Sequence, residues 1–135
     1  MNILKNILAV CVGWIGGSIL NMGLVQLGHV AFPIEDIDIN DMQALAQALP
    51  NLEYHYFIFP FLAHALGTFL GAFLAAKISS SHHMRFAMSI GIIFLIGGVV
   101  VNIMLPGALW FTILDLMLAY LPMAWLGGQL SKKLS

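Results

Sequence analysis

The chain has 135 residues, of which 61% are hydrophobic and only 8% charged, with a net charge of −1 and a mean hydropathy of +0.96. A soluble domain carries roughly a quarter charged residues, so water is not the solvent for most of this surface, and the charge gives no footing for nucleic acid. The single cysteine excludes an intrachain disulfide and a cysteine zinc motif; in its apolar run, Cys11 reads as an inert buried thiol.

Four apolar segments follow, at about 4–31, 55–77, 86–105 and 109–130. Each is near the ~20 residues that cross a bilayer as a helix. They predict an all-α polytopic membrane protein, one domain over 1–135. The first segment is too long for the ~7–15 apolar residues of a secretory signal, and no small-residue cleavage site follows it, so it reads as a retained helix.

The connection 32–54 begins PIEDIDIND and continues NDMQALAQAL. Asn40 is the expected N-cap there, with Gln43 at the capping-box position. Met42, Leu45, Ala46 and Leu49 share one face and Pro50 ends the pattern, which predicts a short amphipathic helix at the outer interface. Tyr54, Tyr56 and Trp110 fit an outer aromatic belt. The loop ISSSHHMR (78–85) is short and polar, and its His82–His83 pair reads as solvated.

With four spans, both termini and the 78–85 loop share one side. Lys5, Lys77, Arg85, Lys132 and Lys133 all fall there, and Glu35, Asp36, Asp38, Asp41 and Glu53 fall on the other. The Lys/Arg bias sets orientation, so both termini are expected in the cytoplasm.

One phrase occurs twice. IGGSILNM (15–22) and IGGVVVNIM (96–104) each place a Gly-Gly pair ahead of an asparagine inside a span. The copies lie on the first and third spans, which run in the same direction. The chain therefore reads as two helical hairpins in parallel repeat about the membrane normal. Small and polar residues recur at helical spacing on each span. They are Trp14, Gly17, Ser18, Asn21 and Gly28 on the first, and Pro60, His64, Gly67, Thr68 and Gly71 on the second. The third has Gly91, Gly98 and Asn102, and the fourth Thr112, Asp115, Ala119 and Pro122. A four-helix bundle with these faces inward is expected. The GxxxG at Gly67–Gly71 offers a subunit contact in a homo-oligomer.

An aspartate in a span costs about 2.5–3.5 kcal/mol on insertion scales and is a functional candidate by default. At 1.5 Å per residue, His64 and Asp115 lie roughly 10–12 Å below the outer edge. Asn21 and Asn102 lie within roughly 6–10 Å of it by the same rise. Each span thus delivers one polar group to one layer. His64 and Asp115 would titrate as a unit and could relay a proton or hold a cation, while Asn21, Asn102, Thr68 and Thr112 suit a solute hydroxyl or bound water. The bland alternative is interhelical glue, about 0.6 kcal/mol per bond on average. Pro122 should free the carbonyl near Leu118 and bend the last helix.

Other patterns point to less. His29 and His55 are expected to face headgroups. Asp36-x-Asp38-x-Asn40 opens like a calcium loop, but Asp41 stands where the EF-hand needs Gly and Gln47 where it needs Glu. Met22, Met104, Met117 and Met123 read as packing rather than copper ligands. No serine-nucleophile motif and no phosphate loop is present. Metal and cofactor stay unassigned.

The stretches AHALGTFLGAFLAA and LDLMLAYLPMAWLGG resemble those of small bacterial membrane proteins with four predicted helices. The resemblance covers most of the chain and implies a bacterial inner-membrane setting, without an activity or catalytic residues. The leading expectation is a small transporter or channel-like protein, a homo-oligomer, with an outward-facing site for a proton, cation or small polar solute. Its rivals are a membrane enzyme or cofactor-binding protein using the His64–Asp115 pair, and an assembly subunit whose polar layer only fixes packing.

Overall fold

The computed structural model describes residues 2–135 and, among them, contains helices and no strand. The elements are α1 (Ile3–Ala31), α2 (Met42–Ala48), 3-10 turns at Leu49–Asn51 and Tyr54–Phe57, α3 (Ile58–Ile78), α4 (His83–Met104), α5 (Leu109–Leu118) and α6 (Leu121–Lys133). Four helical stretches are long and apolar enough to cross a membrane: α1, Tyr54–Ile78, α4, and Leu109–Lys133. Large apolar side chains such as Leu4, Ile19, Val30, Ile103 and Met117 are more than half exposed around the bundle. A water-soluble monomer rarely tolerates so much contiguous apolar surface, and lipid accepts it. Cys11 is exposed on this surface, not buried as expected, because its side of α1 has no helix packed against it.

α1 starts at Asn2, whose side-chain oxygen accepts from the Lys5 N–H at 3.1 Å. Its 29 residues give about 43 Å at 1.5 Å per residue, more than a ~30 Å hydrocarbon core, so α1 must tilt or project. The cap of α2 falls one residue later than the sequence pattern implied. Asp41, not Asn40, accepts from the N–H groups of Gln43 and Ala44 at 3.1 and 3.2 Å. The Asn40 N–H is itself taken by the Asp38 carboxylate at 2.9 Å, a local turn that fixes the chain just before the helix.

Glycines set how the long helices pack. A Cβ on Gly13 would lie 2.6 Å from the Gly71 carbonyl oxygen, and one on Gly71 would lie 2.6 Å from that of Gly13. Gly17 and Gly67 are locked in the same way, at 2.5 and 2.8 Å. α1 and α3 therefore cross antiparallel, backbone on backbone, which is how membrane helices gain packing energy without a hydrophobic driving force. The GxxxG of α3 is consumed inside the chain by this crossing and is not free for a subunit contact. α3 also packs against α4 and α6, whereas α1 and α4 barely touch. The half of the bundle toward the chain termini is closed by Ala72, Ala75, Ala76, Ala87, Ile90 and Ala124.

That end gathers the basic residues. Asn2 N–H donates to Ser80 Oγ at 3.2 Å, Ser80 N–H to Asn6 Oδ1 at 2.9 Å, and Lys77 Nζ to the Leu134 carbonyl at 2.8 Å. Both termini and the 79–82 loop are thus tied together, as the four-span topology requires. His83 caps α3 through the Ala76 carbonyl at 2.8 Å. It is engaged there rather than paired with His82.

The last span is broken, not bent. α5 ends at Leu118 and α6 starts at Leu121, with Tyr120 between them at φ −111°, ψ −80°. Pro122 occupies the first turn of α6, where a missing N–H is harmless, and is exposed rather than inward-facing.

Candidate functional site

His64 projects from the second turn of α3, and Asp115 from α5. The His64 Nδ1 lies 2.9 Å from each Asp115 oxygen. Asp115 is fully buried, and the His64 side chain keeps 21% of its surface exposed. With Asp115 ionised, Nδ1 carries the hydrogen and donates it. The other nitrogen, Nε2, then accepts in a neutral ring and donates in a charged one. Nε2 has no hydrogen-bond partner among the described residues.

A third residue completes the group. Tyr120 is 2% exposed, stacks on the His64 ring with centroids 5.7 Å apart, and donates its hydroxyl to Asp115 Oδ2 at 3.3 Å. Residues five apart on an unbroken helix point about 140° away from each other at 3.6 residues per turn. The break at Tyr120 is what brings its ring back over Asp115. Sequence periodicity could not find Tyr120, since its position on an ideal helix faces elsewhere.

The other expected residues divide. Thr112 Oγ1 donates to Asn102 Oδ1 at 3.0 Å, and Asn102 Nδ2 donates to the Gly98 carbonyl at 2.8 Å. This second pair tethers α5 to α4. Asn21 is bonded to neither: its Oδ1 is buried without a partner and its Cβ lies against Gly67. Thr68 is fully buried one turn from His64, its hydroxyl also without a partner, and it lines neither of the spaces around that ring.

Two spaces meet at His64. The first, about 250 Å³, lies at the end away from the termini. Leu45 and Leu49 at and just after α2 roof it, Phe57, Phe59 and Phe111 wall it, and His29, Asn102 and His64 are among its few polar groups. His29 was expected to face headgroups; instead it lines this cavity, with its Nδ1 buried and unpartnered. The second, about 230 Å³, is the gap left where α1 and α4 diverge, lined by Trp14, Asn21, His64, Phe94 and Tyr120. Trp14 is half-exposed in that gap, not packed on the inward glycine face. Further toward the termini, a separate apolar depression between α1 and α4 is lined by Val10, Cys11 and Phe86.

No cluster of three His, Cys, Asp or Glu side chains with metal-binding proximity exists among the described residues. No protein-family model, curated protein or solved structure matches the chain. The arrangement of its own residues is what speaks to function.

Proposed function

We propose that the chain is an integral membrane protein that binds one amphiphilic molecule, with the polar group seated against His64 and the apolar part in the α1/α4 gap. The observation that carries this is the position of His64, which lines both an apolar cavity and the gap between α1 and α4, while Asp115 bonds its Nδ1 and Tyr120 stacks on its ring. A buried carboxylate that orients an imidazole is a means of presenting Nε2 in one tautomer. The cavity is smaller than the ~300–1,000 Å³ of drug-sized sites, so it suits a head of about one ring. This is the cofactor-binding or enzyme alternative, taken as binding.

Transport of a proton, cation or small polar solute is the second reading, favoured by the His64–Asp115 contact itself. It is less well supported because the half of the bundle beyond the site is packed from alanines and Ile90. Two further features belong to the proposal. The basic end is read as cytoplasmic, in a bacterial inner membrane like that of the small proteins the sequence resembles. The hairpins α1–α3 and α4–α6 are read as a parallel repeat, supported by the second glycine of each phrase packing tightly on an opposing helix. Oligomerisation, if it occurs, must use a surface other than the α3 glycines.

The test uses purified protein in detergent micelles and a nonyl-substituted phenol, measured by dialysis against empty micelles. Binding above micelle partition is expected, weakened at least tenfold by Val25→Phe, which fills the cavity from α1. Proteoliposomes carrying a pH-sensitive dye supply the second arm. Proton flux that Asp115→Asn abolishes, without phenol binding, would place the transport reading first. Absence of both activities would leave the polar layer as packing.

A further inference from the structure

We propose that the pocket between the start of α4 and the end of α6 holds the head of an anionic phospholipid, with its phosphate between Arg85 and Lys132; this rests on the membrane setting proposed above and not on the His64 site. The pocket, about 370 Å³, is lined by His82, His83, Met84, Arg85, Gly128 and Lys132. α6 packs tightly on α4 beside it, since a Cβ on Gly128 would lie 2.8 Å from Met84 Sδ and 2.9 Å from Ala87 Cβ. Arg85 follows Met84 in the chain, and Lys132 lies about one turn beyond Gly128. This close crossing brings an arginine and a lysine from two different spans to one pocket.

Neither cation has a counter-charge in the protein. The ion pairs among the described residues join His55 to Glu53 and His64 to Asp115. The remaining acids, Glu35, Asp36, Asp38 and Asp41, all belong to the 32–54 connection at the other end of the bundle. Lys77 is engaged by the Leu134 carbonyl, and Lys5 and Lys133 do not line the pocket. In open water Arg85 and Lys132 would simply be hydrated. Arg85, however, is the third residue of α4 and Lys132 the last but one of α6, so both stand where membrane spans leave the hydrocarbon and lipid phosphates begin. Basic pockets between spans at that level are where anionic heads bind. Arginine meets a phosphate through paired N–H groups and lysine as a point charge.

Charge also selects the class of lipid. A zwitterionic head carries an ammonium or trimethylammonium group, and no carboxylate lines the pocket to receive it. Phosphatidylglycerol carries one negative charge and two hydroxyls, which imidazole nitrogens such as those of His82 suit. Met84 and Gly128 add an apolar wall for the glycerol backbone, which a free phosphate ion would leave unused.

The experiment holds the full chain on a solid support in neutral micelles and loads it with radiolabelled phosphatidylglycerol. Unlabelled phosphatidylglycerol and phosphatidylcholine then compete for the label. Wild type is expected to prefer phosphatidylglycerol about 30-fold, a factor of about 5 for each of two basic side chains at a membrane surface. Arg85→Gln with Lys132→Gln should remove the preference. Either substitution alone should leave about 5-fold, so a single variant decides if the pair does not assemble. Lys5→Gln with Lys133→Gln removes the same charge outside the pocket and should keep the preference. No retention of label by wild type, or equal competition by the two lipids, overturns the site. So does a control pair that erases the preference as fully as the pocket pair, because the attraction would then be diffuse surface charge. Millimolar inorganic phosphate at constant ionic strength should not displace the label; displacement overturns the lipid assignment in favour of a free phosphate. The nonyl-substituted phenol reads the His64 site separately, so either site can fail without the other.

Discussion

Gly98 and Gly97 are neighbours on α4, yet alanine should affect them in opposite directions. A Cβ at Gly97 meets nothing within 4 Å; at Gly98 it would run into the Tyr120 ring, 2.6 Å from Cζ and 2.9 Å from Cε2. The ring is not a flexible tip that can swing away, because Tyr120 is 2% exposed and stacked on His64. Overpacking a fitted interior costs about 1–3 kcal/mol. Displacing the hydroxyl from Asp115 adds about 1.5 kcal/mol, the low end for a bond to a charged group because 3.3 Å is long. Alanine returns up to about 1 kcal/mol of helix propensity at either site. Gly98→Ala should therefore lose about 2–4 kcal/mol, and Gly97→Ala should be neutral or gain up to about 1 kcal/mol. The first copy of the phrase repeats the contrast. Gly17 faces the Gly67 backbone, whereas Gly16 meets only the tip of Leu74. Unfolding in mixed micelles by denaturing detergent, followed by far-ultraviolet circular dichroism, reads all four variants. If Gly97→Ala and Gly98→Ala shift the midpoint alike, Tyr120 does not sit on Gly98 and the His64–Asp115–Tyr120 group is wrongly assembled.

Three other outcomes are expected. Reporters fused at either terminus should read cytoplasmic and one inserted within 36–48 external; a cytoplasmic signal from the loop would invert the location of the cavity. Asp115→Asn, which keeps size and an acceptor for His64 Nδ1 but loses charge, should leave the protein assembled and change ligand or proton binding. By contrast, Asp115→Leu with His64→Leu should be tolerated or stabilising by about 1–4 kcal/mol if the pair is only structural, and a double variant with undiminished binding would remove His64 from the site. Gly67→Ala should destabilise the single chain through the α1–α3 crossing without changing its oligomeric distribution on sedimentation; a selective loss of oligomer would return the α3 glycines to a subunit interface.

Much of this architecture was legible without coordinates, because lipid imposes its demand residue by residue. A span must be apolar for about 20 residues whatever its neighbours do, so the number of spans follows from composition. Four helices long and apolar enough to cross a membrane are present close to the expected bounds. The contact between His64 and Asp115 was also within reach. An intramembrane carboxylate needs a polar partner, and only one ionisable side chain lay at matching depth.

What depth and periodicity could not supply was angle. Tyr120 reaches Asp115 only because α5 and α6 part at residues 119–120, a break that changes which way every later side chain points. The pairing of Gly13 with Gly71 and Gly17 with Gly67 depends on the crossing of two helices far apart in sequence. The amino-acid pattern marks both faces as small but does not say which face meets which. His29 likewise looks interfacial along its own helix and becomes a cavity wall only when Phe59 packs on Gly28 and Leu45 and Leu49 close above. The sequence by itself marked four helices long and apolar enough to cross a membrane and the buried aspartate with its histidine partner, since each depends on the free energy of single residues in an apolar surrounding. The tertiary structure alone decided the cavity and the groups that face it, since those depend on the relative rotation of helices.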